Sequence, residues 1–250
     1  MNKCYKIVGG PECRHCSGPL IKHGIMGGRQ RYKCKGCKAT QMSFYTNNAC
    51  NLIINNEIAN HVKEGCGIRS IGRLLNISAV TVLTRIKSIA DAIKKPTISI
   101  GQNYEVDELK TYVKKKTNDY WVIYAIEKKS RQVVDFKAGK RTKKNIKRVT
   151  DTLLLAECRQ IYTDGLNTYR LVIPKEVHRV KRYGTNKIER KNLSLRTHIK
   201  RLNRKTICFS KSLLMLEACL KIYFWYNRDD CRNLLIDNTS VSLSFAKCNI

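Results

Sequence analysis

The order of hydrophobic patterns between residues 104 and 202 constrains the fold more than any other feature of this sequence. Three strand-like runs come first, separated by turns rich in Lys, Asn and Ser, over 104–109, 120–126 and 132–136. The elements that follow are, in order, a helix, a strand, a short strand and a long helix, over about 143–155, 161–164, 177–180 and 186–202. This order predicts an α/β fold in which a mixed sheet is flanked by helices.

Acidic residues fall on three of these elements. Asp107 lies within the first strand, Asp164 closes the fourth strand, and Glu189 lies near the start of the last helix. Each has an ordinary explanation, since Asp164-Gly165 could be a turn and Glu189 could pair with a nearby arginine. An isolated carboxylate within a strand, however, is costly unless it is paired or binds metal. Taken together, the three acids in this order predict an RNase H-like fold in which their carboxylates converge.

Strand alternation leaves one question open about the first acid. Glu105 shares a face with Asp107, so the spacing does not exclude it from the site. Glu108 is expected on the opposite face, away from the site.

The last helix belongs to the most basic stretch of the chain. Residues 175–205 contain twelve Lys or Arg and two acids, Glu176 and Glu189. An acid there repels phosphate unless it holds a cation that the phosphate also needs, and carboxylates bind Mg²⁺ while leaving positions open for phosphate and water. The pattern predicts an enzyme that cuts or joins nucleic acid. The side chains expected near the phosphates are Lys187, Arg190, Lys191, Arg196, Lys200 and Arg201.

The overall composition also favours a nucleic-acid partner. The chain carries 49 Lys and Arg against 19 Asp and Glu, a formal net charge of +30, with 42% hydrophobic residues. A basic chain that can still build a core is expected to face a polyanion. No apolar signal segment opens the sequence, and no run of about 18 apolar residues occurs in it. We therefore expect a cytoplasmic, nucleoid-associated protein without a membrane span.

Four of the twelve cysteines are paired by their spacing. Cys13-x₂-Cys16 and Cys34-x₂-Cys37 are separated by 17 residues. In a reducing compartment such pairs are typical of metal sites, and two knuckles joined by a short hairpin form a tetrahedral Cys₄ site for Zn²⁺. Four thiolates leave no open coordination position, so the predicted zinc is structural.

The periodicity of residues 51–93 predicts a helix-turn-helix. Helices are expected over about 51–64 and 68–75, and Ser78 is a good N-cap for a third helix. The third helix is predicted to bury Val82, Ile86 and Ile89. Its outward residues are then Thr81, Thr84, Arg85 and Ser88. That polar face suits a DNA major groove. An ordinary three-helix cap with a solvated outer face fits the periodicity equally well. The adjoining cysteine pairs and the net charge favour DNA binding.

These observations predict a chain of successive domains. They are a zinc ribbon, a helix-turn-helix DNA-binding domain, a linker, an RNase H-like catalytic domain and an unassigned tail, over 1–48, 49–94, 95–102, 103–228 and 229–250.

The sequence resembles the insertion-sequence-one family of bacterial transposases, in a form that carries all these domains on one chain. The resemblance covers about residues 13–226, and its most specific parts are the stretches 180–196 and 204–212, together with the knuckle 30–37 and the strand around 106–108. The tail at 229–250 departs from a typical family ending. The family belongs to the DDE class, and the resemblance places its motif on Asp107, Asp164 and Glu189, the last two separated by 24 residues. It also places a supporting basic position on Arg196.

The resemblance implies a DNA transposase that uses Mg²⁺, or Mn²⁺ in its place, for DNA cleavage and strand transfer. Its expected partners are the terminal inverted repeats of its own element, the target DNA and further copies of the same chain. Two alternatives remain open at this point. One is a non-catalytic, transposase-derived DNA-binding regulator, and the other is a nuclease or resolvase limited to hydrolysis.

Overall fold

The structure is a computed structural model that describes residues 5–6, 12–51, 53–203, 206 and 208–227. The chain divides into two compact units, with residues 1–54, 75–77 and 227–250 in the first and residues 55–74 and 78–226 in the second. The tail left unassigned by the sequence lies outside the described residues. None of the described helices is long and apolar enough to cross a lipid bilayer.

The first unit is built of short strands: β1 (Tyr5–Lys6), β2 (Leu20–Met26), β3 (Arg29–Cys34), β4 (Thr40–Met42) and β5 (Phe44–Tyr45). β2, β3 and β4 form an antiparallel sheet. Gly27 and Gly28 make the two-residue turn between β2 and β3, with φ of 56° and 70°. Tight hairpin turns of this kind need a left-handed backbone at both positions, which glycine adopts without strain. The predicted short connection between the cysteine knuckles is therefore a β-hairpin.

Three helices follow: α1 (Ile54–Lys63), α2 (Ile68–Leu75) and α3 (Ala79–Ala92). The α3 helix begins as predicted, because the Ser78 hydroxyl accepts a hydrogen bond from the Thr81 N–H at 3.0 Å. Its predicted stripe is buried, with Val82, Ile86 and Ile89 each at most 5% exposed. The three-helix arrangement expected from the periodicity is thus present.

The second unit contains a mixed sheet formed by β6 (Asn103–Val113), β7 (Lys115–Glu127), β8 (Val133–Gly139), β9 (Gln160–Tyr162) and β10 (His178–Arg179). The strand order across the sheet is β10-β9-β6-β7-β8. β6, β7 and β8 are antiparallel neighbours, whereas β9 lies parallel to β6 and β10 parallel to β9. This is the RNase H-like arrangement that the order of sequence patterns predicts.

Helices cover both faces of this sheet: α4 (Lys143–Leu155), α5 (Asn167–Arg170), α6 (Asn186–His198) and α7 (Leu213–Trp225). On one face, Tyr104 and Val106 of β6 pack with buried residues of α4 and α5. On the other face, Leu109 of β6 packs with buried residues of α6 and α7, among them Ile188 and Leu216. β6 therefore lies between two cores, and its side chains point alternately into each.

The helices α1–α3 are packed with this sheet in the same compact unit. The α3 helix packs on α7, and Lys221 Nζ donates a hydrogen bond to the Ala90 carbonyl at 3.4 Å. The turn after α1 approaches the end of α6 so closely that a Cβ added at Gly65 would lie 2.0 Å from the His198 carbonyl oxygen. The helices and the sheet therefore pack together in one compact unit. That the helices bind DNA while the sheet carries the catalytic residues stays a prediction.

Candidate active site

The edge of β6 next to β9 brings acids from two strands together. The parallel pairing joins Asn103–Glu105 of β6 to Gln160–Tyr162 of β9. Asp107 and Glu108 lie on β6 just past this pairing, and Asp164 follows β9 by two residues. Because the end of β9 meets the middle of β6 here, side chains from both strands can reach one point.

Three carboxylates occupy that point. Asp107, Glu108 and Asp164 each offer an oxygen, and these oxygens lie within 4.8 Å of one another. Glu108 is buried, Asp107 is half-buried and Asp164 is exposed, so the acid cluster opens to solvent on the Asp164 side. The structure therefore brings together two of the three predicted acids, together with a third that was not predicted.

The prediction that Glu108 points away from the site is wrong for its carboxylate. Alternation does place the two neighbours on opposite faces, since Asp107 contacts α6 and Glu108 contacts Arg141 ahead of α4. Past the end of β9, however, the edge of β6 that faces away from β7 has no paired strand at these two positions among the described residues. Both carboxylates can therefore approach the same edge, and their oxygens meet the Asp164 carboxylate there.

The electrostatics of the acid cluster favour a bound cation. Burial raises the pKa of Asp107, hydrogen bonds from the Glu108 N–H and from Asn192 oppose this shift, and the charges of Asp164 and Glu189 raise it further. Burial also raises the pKa of Glu108, with Arg141 opposing and the two aspartates adding to the increase. Carboxylates that repel one another in a partly buried site are stabilised by a divalent cation with oxygen ligands.

Asn192 fixes the orientation of Asp107. The Tyr124 hydroxyl donates to Asn192 Oδ1 at 2.8 Å, and Asn192 Nδ2 donates to Asp107 Oδ2 at 2.6 Å. The hydroxyl lies 3.2 Å from the Ile188 carbonyl as well. Sequence reasoning missed this role, because an asparagine within a helical stripe is usually a polar residue at the margin of a core. A search for polar residues one turn after the helical acid would have found it.

Glu189 lies in the first turn of α6 and is not part of the acid cluster. Its Oε1 accepts a hydrogen bond from the Thr185 hydroxyl at 2.8 Å, which directs the carboxylate toward the start of its own helix. Its charge nevertheless raises the pKa of Asp107. The convergence expected of all three acids is thus incomplete, and the catalytic role of Glu189 stays a prediction.

The question about Glu105 is answered by its contacts. Its side chain is buried, and Oε2 accepts a hydrogen bond from the Ile188 N–H in the first turn of α6 at 2.8 Å. Oε1 lies 3.4 Å from Lys128 Nζ, which also donates to the Gly184 carbonyl at 3.0 Å. Glu105 therefore anchors the start of α6 on the sheet.

The basic residues predicted around the site differ in how free their side chains are. Arg190 and Lys200 are exposed. Lys187 Nζ donates to the Lys128 carbonyl at 2.6 Å, and Arg201 donates to Ser210 Oγ at 3.0 Å. Burial lowers the pKa of Lys191. Arg196 is half-buried, and its charge opposes the rise that burial causes in the pKa of Tyr124.

The outward face predicted for the third helix is only partly open. Thr84 is exposed, and its hydroxyl donates back to the Val80 carbonyl at 3.1 Å. Thr81 and Arg85 are half-buried. DNA contact by these residues stays a prediction.

The four paired cysteines converge in the first unit. The sulfur atoms of Cys13, Cys16, Cys34 and Cys37 lie within 4.8 Å of one another. The two knuckles repeat one local geometry, with a left-handed residue after each pair, Ser17 and Lys38 at φ of 55° and 61°. The His15 N–H lowers the pKa of the Cys13 thiol to about 6, which favours the thiolate that binds metal. The donor set fits a tetrahedral Zn²⁺ site.

Comparison with known proteins gives a family model, relatives and a solved structure that are similar to this chain. A family model described as IS1 transposase matches residues 102–228. The insertion element iso-IS1n protein InsB of Shigella dysenteriae is 37% identical over 116 residues, covering 46% of this chain and 88% of that protein. The insertion element IS1 protein InsB of Shigella flexneri is 37% identical over 119 residues, covering 48% of this chain and 91% of that protein.

Among solved structures, a cryo-EM structure of the simian T-cell lymphotropic virus intasome with PP2A regulatory subunit B56 gamma matches 65% of this chain and 66% of that one. Its TM-score is 0.35 and its identity is 15%, and at this level the likeness supports no inference about this chain.

Proposed function

Because this chain belongs to the IS1 transposase family, we propose that it is the DNA transposase of an insertion sequence, which cleaves DNA at the ends of its own element and joins them to target DNA. The acid cluster carries this proposal. Its carboxylates lie where β9 ends beside the central strand β6 of an RNase H-like sheet, near a helix whose exposed side chains include Arg190. A phosphate group attracted to that helix would meet carboxylates able to hold the cation it needs.

The donor set of the acid cluster fits Mg²⁺, and Mn²⁺ can occupy the same kind of oxygen site. We propose that Asp107, Asp164 and Glu189 hold two such ions. When bound, the ions would promote ionisation of the attacking oxygen and neutralise charge on the leaving oxygen. Asn192 would keep Asp107 in its ligating orientation. Arg196 would supply a positive charge further along α6.

One site can serve both reactions because both are in-line displacements at phosphorus. In cleavage, a water oxygen bonds to phosphorus and loses a proton, the bond from phosphorus to the 3′ oxygen breaks, and the departing 3′ oxygen takes up a proton to become a 3′-hydroxyl. In strand transfer, the freed 3′-hydroxyl takes the place of water. Its oxygen bonds to a target phosphorus, and the corresponding bond in the target strand breaks.

We propose that the first unit and the three helices recognise the terminal inverted repeats. The cysteine cluster would hold a structural Zn²⁺, and α3 would present Thr81, Thr84 and Arg85 to a DNA groove. Because two element ends must be joined, we expect the chain to act as a homo-oligomer on DNA. Its place of action would be the nucleoid, where both DNA partners lie.

A strand-transfer assay with the full chain, Mg²⁺ and the element's own ends tests the proposal. We expect Asp107→Asn, Asp164→Asn and Glu189→Gln each to abolish cleavage and joining while DNA binding persists, because each removes a charge that holds metal. Glu217→Gln on α7 is the matched control, since it loses an ion pair with Lys137 of β8, outside the acid cluster. Cleavage without joining by the unaltered protein would instead indicate a nuclease, and binding without cleavage a regulator.

Metal analysis tests the proposed zinc site separately. We expect one Zn²⁺ per chain by metal analysis, and loss of that ion together with selective end binding in Cys13→Ser. The Cys158→Ser variant, which alters a buried thiol of the second unit, should keep its zinc. Stoichiometric zinc in Cys13→Ser would contradict the assignment.

A further inference from the structure

The Glu108 carboxylate is held in a way that the proposed set of three acids does not explain. Its side chain is buried, and Oε1 lies 3.4 Å from Arg141 Nε. The Arg141 guanidinium lies over the Trp121 ring, 4.6 Å from the centroid, which restricts its orientation. A carboxylate has two oxygens with several acceptor positions, so an arginine at one oxygen leaves acceptor capacity for a further ligand.

Tyr169 provides a second, independent observation. The residue is 0% exposed, and its hydroxyl has no hydrogen-bond partner among the described residues. A buried hydroxyl without a partner costs free energy, so its placement calls for a ligand or a rearranged neighbour. Burial raises the pKa of Tyr169, and the charges of Glu108, Asp107 and Asp164 raise it further, with Glu108 the acid closest to hydrogen bonding with the hydroxyl. The Tyr169 hydroxyl therefore faces Glu108 of the acid cluster without forming a well-aligned hydrogen bond.

We propose that Glu108 is a further ligand of the divalent cation held by Asp107 and Asp164, and that Tyr169 is the positioning residue for Glu108. The inference rests on the proposed function and adds a carboxylate to its site. Tyr169 would donate its hydroxyl hydrogen to Glu108 in the cation-bound protein, while Arg141 offsets part of the added negative charge. The cation would then be held by side chains from both faces of β6.

A purely structural role for Glu108 is the competing explanation. An ion pair with Arg141 accounts for the burial of the glutamate. It does not explain why a Glu108 carboxylate oxygen lies within 4.8 Å of carboxylate oxygens of Asp107 and Asp164. Nor does it explain why the buried Tyr169 hydroxyl forms no well-aligned hydrogen bond. The two explanations predict different effects of replacing Glu108. If its role is only structural, a folded Glu108 variant should bind the metal as tightly as the unaltered chain does.

The test is Mn²⁺ binding to the full chain without DNA, by isothermal titration calorimetry, with circular dichroism to confirm folding. We expect Tyr169→Phe, which removes one oxygen atom, to weaken Mn²⁺ binding by about tenfold or more, the usual effect of removing an outer hydrogen bond. Glu108→Gln should weaken it further, because a ligand is lost. Glu217→Gln, which loses an ion pair elsewhere, should bind Mn²⁺ as the unaltered chain does.

The outcomes separate this inference from the function on which it rests. Unchanged Mn²⁺ affinity in folded Glu108→Gln and Tyr169→Phe, with loss of binding in Asp107→Asn, would overturn the role of Glu108 and leave the proposed function standing. Unchanged affinity in Asp107→Asn as well would overturn the acid cluster as a metal site. If Glu108→Gln does not fold, the Tyr169→Phe measurement decides.

Discussion

Asn192 is the residue through which α6 acts on the acid cluster. It receives a hydrogen bond from Tyr124 and passes one to Asp107, so its amide can adopt only one orientation. A hydrogen-bonded chain of this kind holds a metal-ligating carboxylate in place and excludes other rotamers. The orientation of Asp107, a predicted metal ligand on β6, therefore depends on α6, which lies far along the chain.

We predict that Asn192→Ala lowers the rate of strand transfer by about 10–100-fold, because Asp107 loses its orienting donor. Binding of element ends should change little, since Asn192 is not among the exposed basic residues. Thr197→Ala on the same helix, whose hydroxyl donates to the Leu193 carbonyl, is the control and should retain activity. A fully active Asn192→Ala would show that Asp107 needs no orienting partner.

The raised pKa of Asp107 predicts how stability depends on pH. Burial raises this pKa above its ordinary value of 3.8, so the folded chain binds the proton more tightly than the unfolded chain. In metal-free protein its contribution to stability is therefore greatest below 3.8 and is lost as the pH rises through the folded pKa. Asparagine does not ionise, so Asp107→Asn should not lose stability in this way as the pH rises.

We therefore expect the stability of Asp107→Asn, relative to that of the unaltered chain, to increase as the pH rises from about 4 to about 7. Urea denaturation with a chelator at each pH measures it. Asp151→Asn, at an exposed ion pair on α4, controls for the lost charge. A relative gain in stability toward low pH would contradict the sign.

Among the elements, α6 is held at its start by contacts from outside the helix. Glu105 accepts from the Ile188 N–H, and Lys128 bridges Glu105 to the Gly184 carbonyl. A carboxylate near a helix N-terminus satisfies an N–H that has no partner within the helix and also suits the positive end of the helix dipole. Glu105 on β6 thus helps to set where α6 begins.

We predict that Glu105→Gln lowers the free energy of unfolding by about 2 kcal/mol, because a charge-assisted hydrogen bond is weakened and Lys128 loses its counter-charge. Strand transfer should fall as well, since the start of α6 carries Glu189. Glu176→Gln, at an exposed position, should change stability by less than about 0.5 kcal/mol. Equal stability of the two variants in chemical denaturation would refute the anchoring role.

Local signals explain which elements could be predicted. The α2 helix and the start of α3 agree with the sequence because a cap and an apolar stripe are encoded by near neighbours. The α7 helix was not delimited, because its apolar residues surround the helix and leave no stripe to detect. The place of Glu108 in the acid cluster could not be predicted, since it depends on where β9 ends, more than fifty residues later.

For the whole molecule, the net charge of +30 predicts strong, salt-dependent binding to DNA. Phosphate contacts release counterions and so set the salt dependence, whereas contacts to base edges set the preference for sequence. We assign the exposed Arg190 to the first class of residues and the exposed Thr84 to the second.

We expect Arg190→Gln to weaken binding to element ends and to unrelated DNA equally, and to reduce the slope of log affinity against log salt by about 1. Thr84→Val should reduce the preference for element ends and leave that slope unchanged. Fluorescence anisotropy over a salt series with both DNAs measures the two effects. A changed slope in Thr84→Val with intact preference would reverse the two assignments.

The close approach at Gly65 limits how such proteins can be recombined. No side chain fits there, because the His198 carbonyl occupies the position that a Cβ would take. The three helices are therefore not a cassette that can be exchanged at residue 94. A chimera that replaces these helices must also supply a glycine facing the end of α6, so the proposed DNA recognition and catalysis are expected to be inherited together.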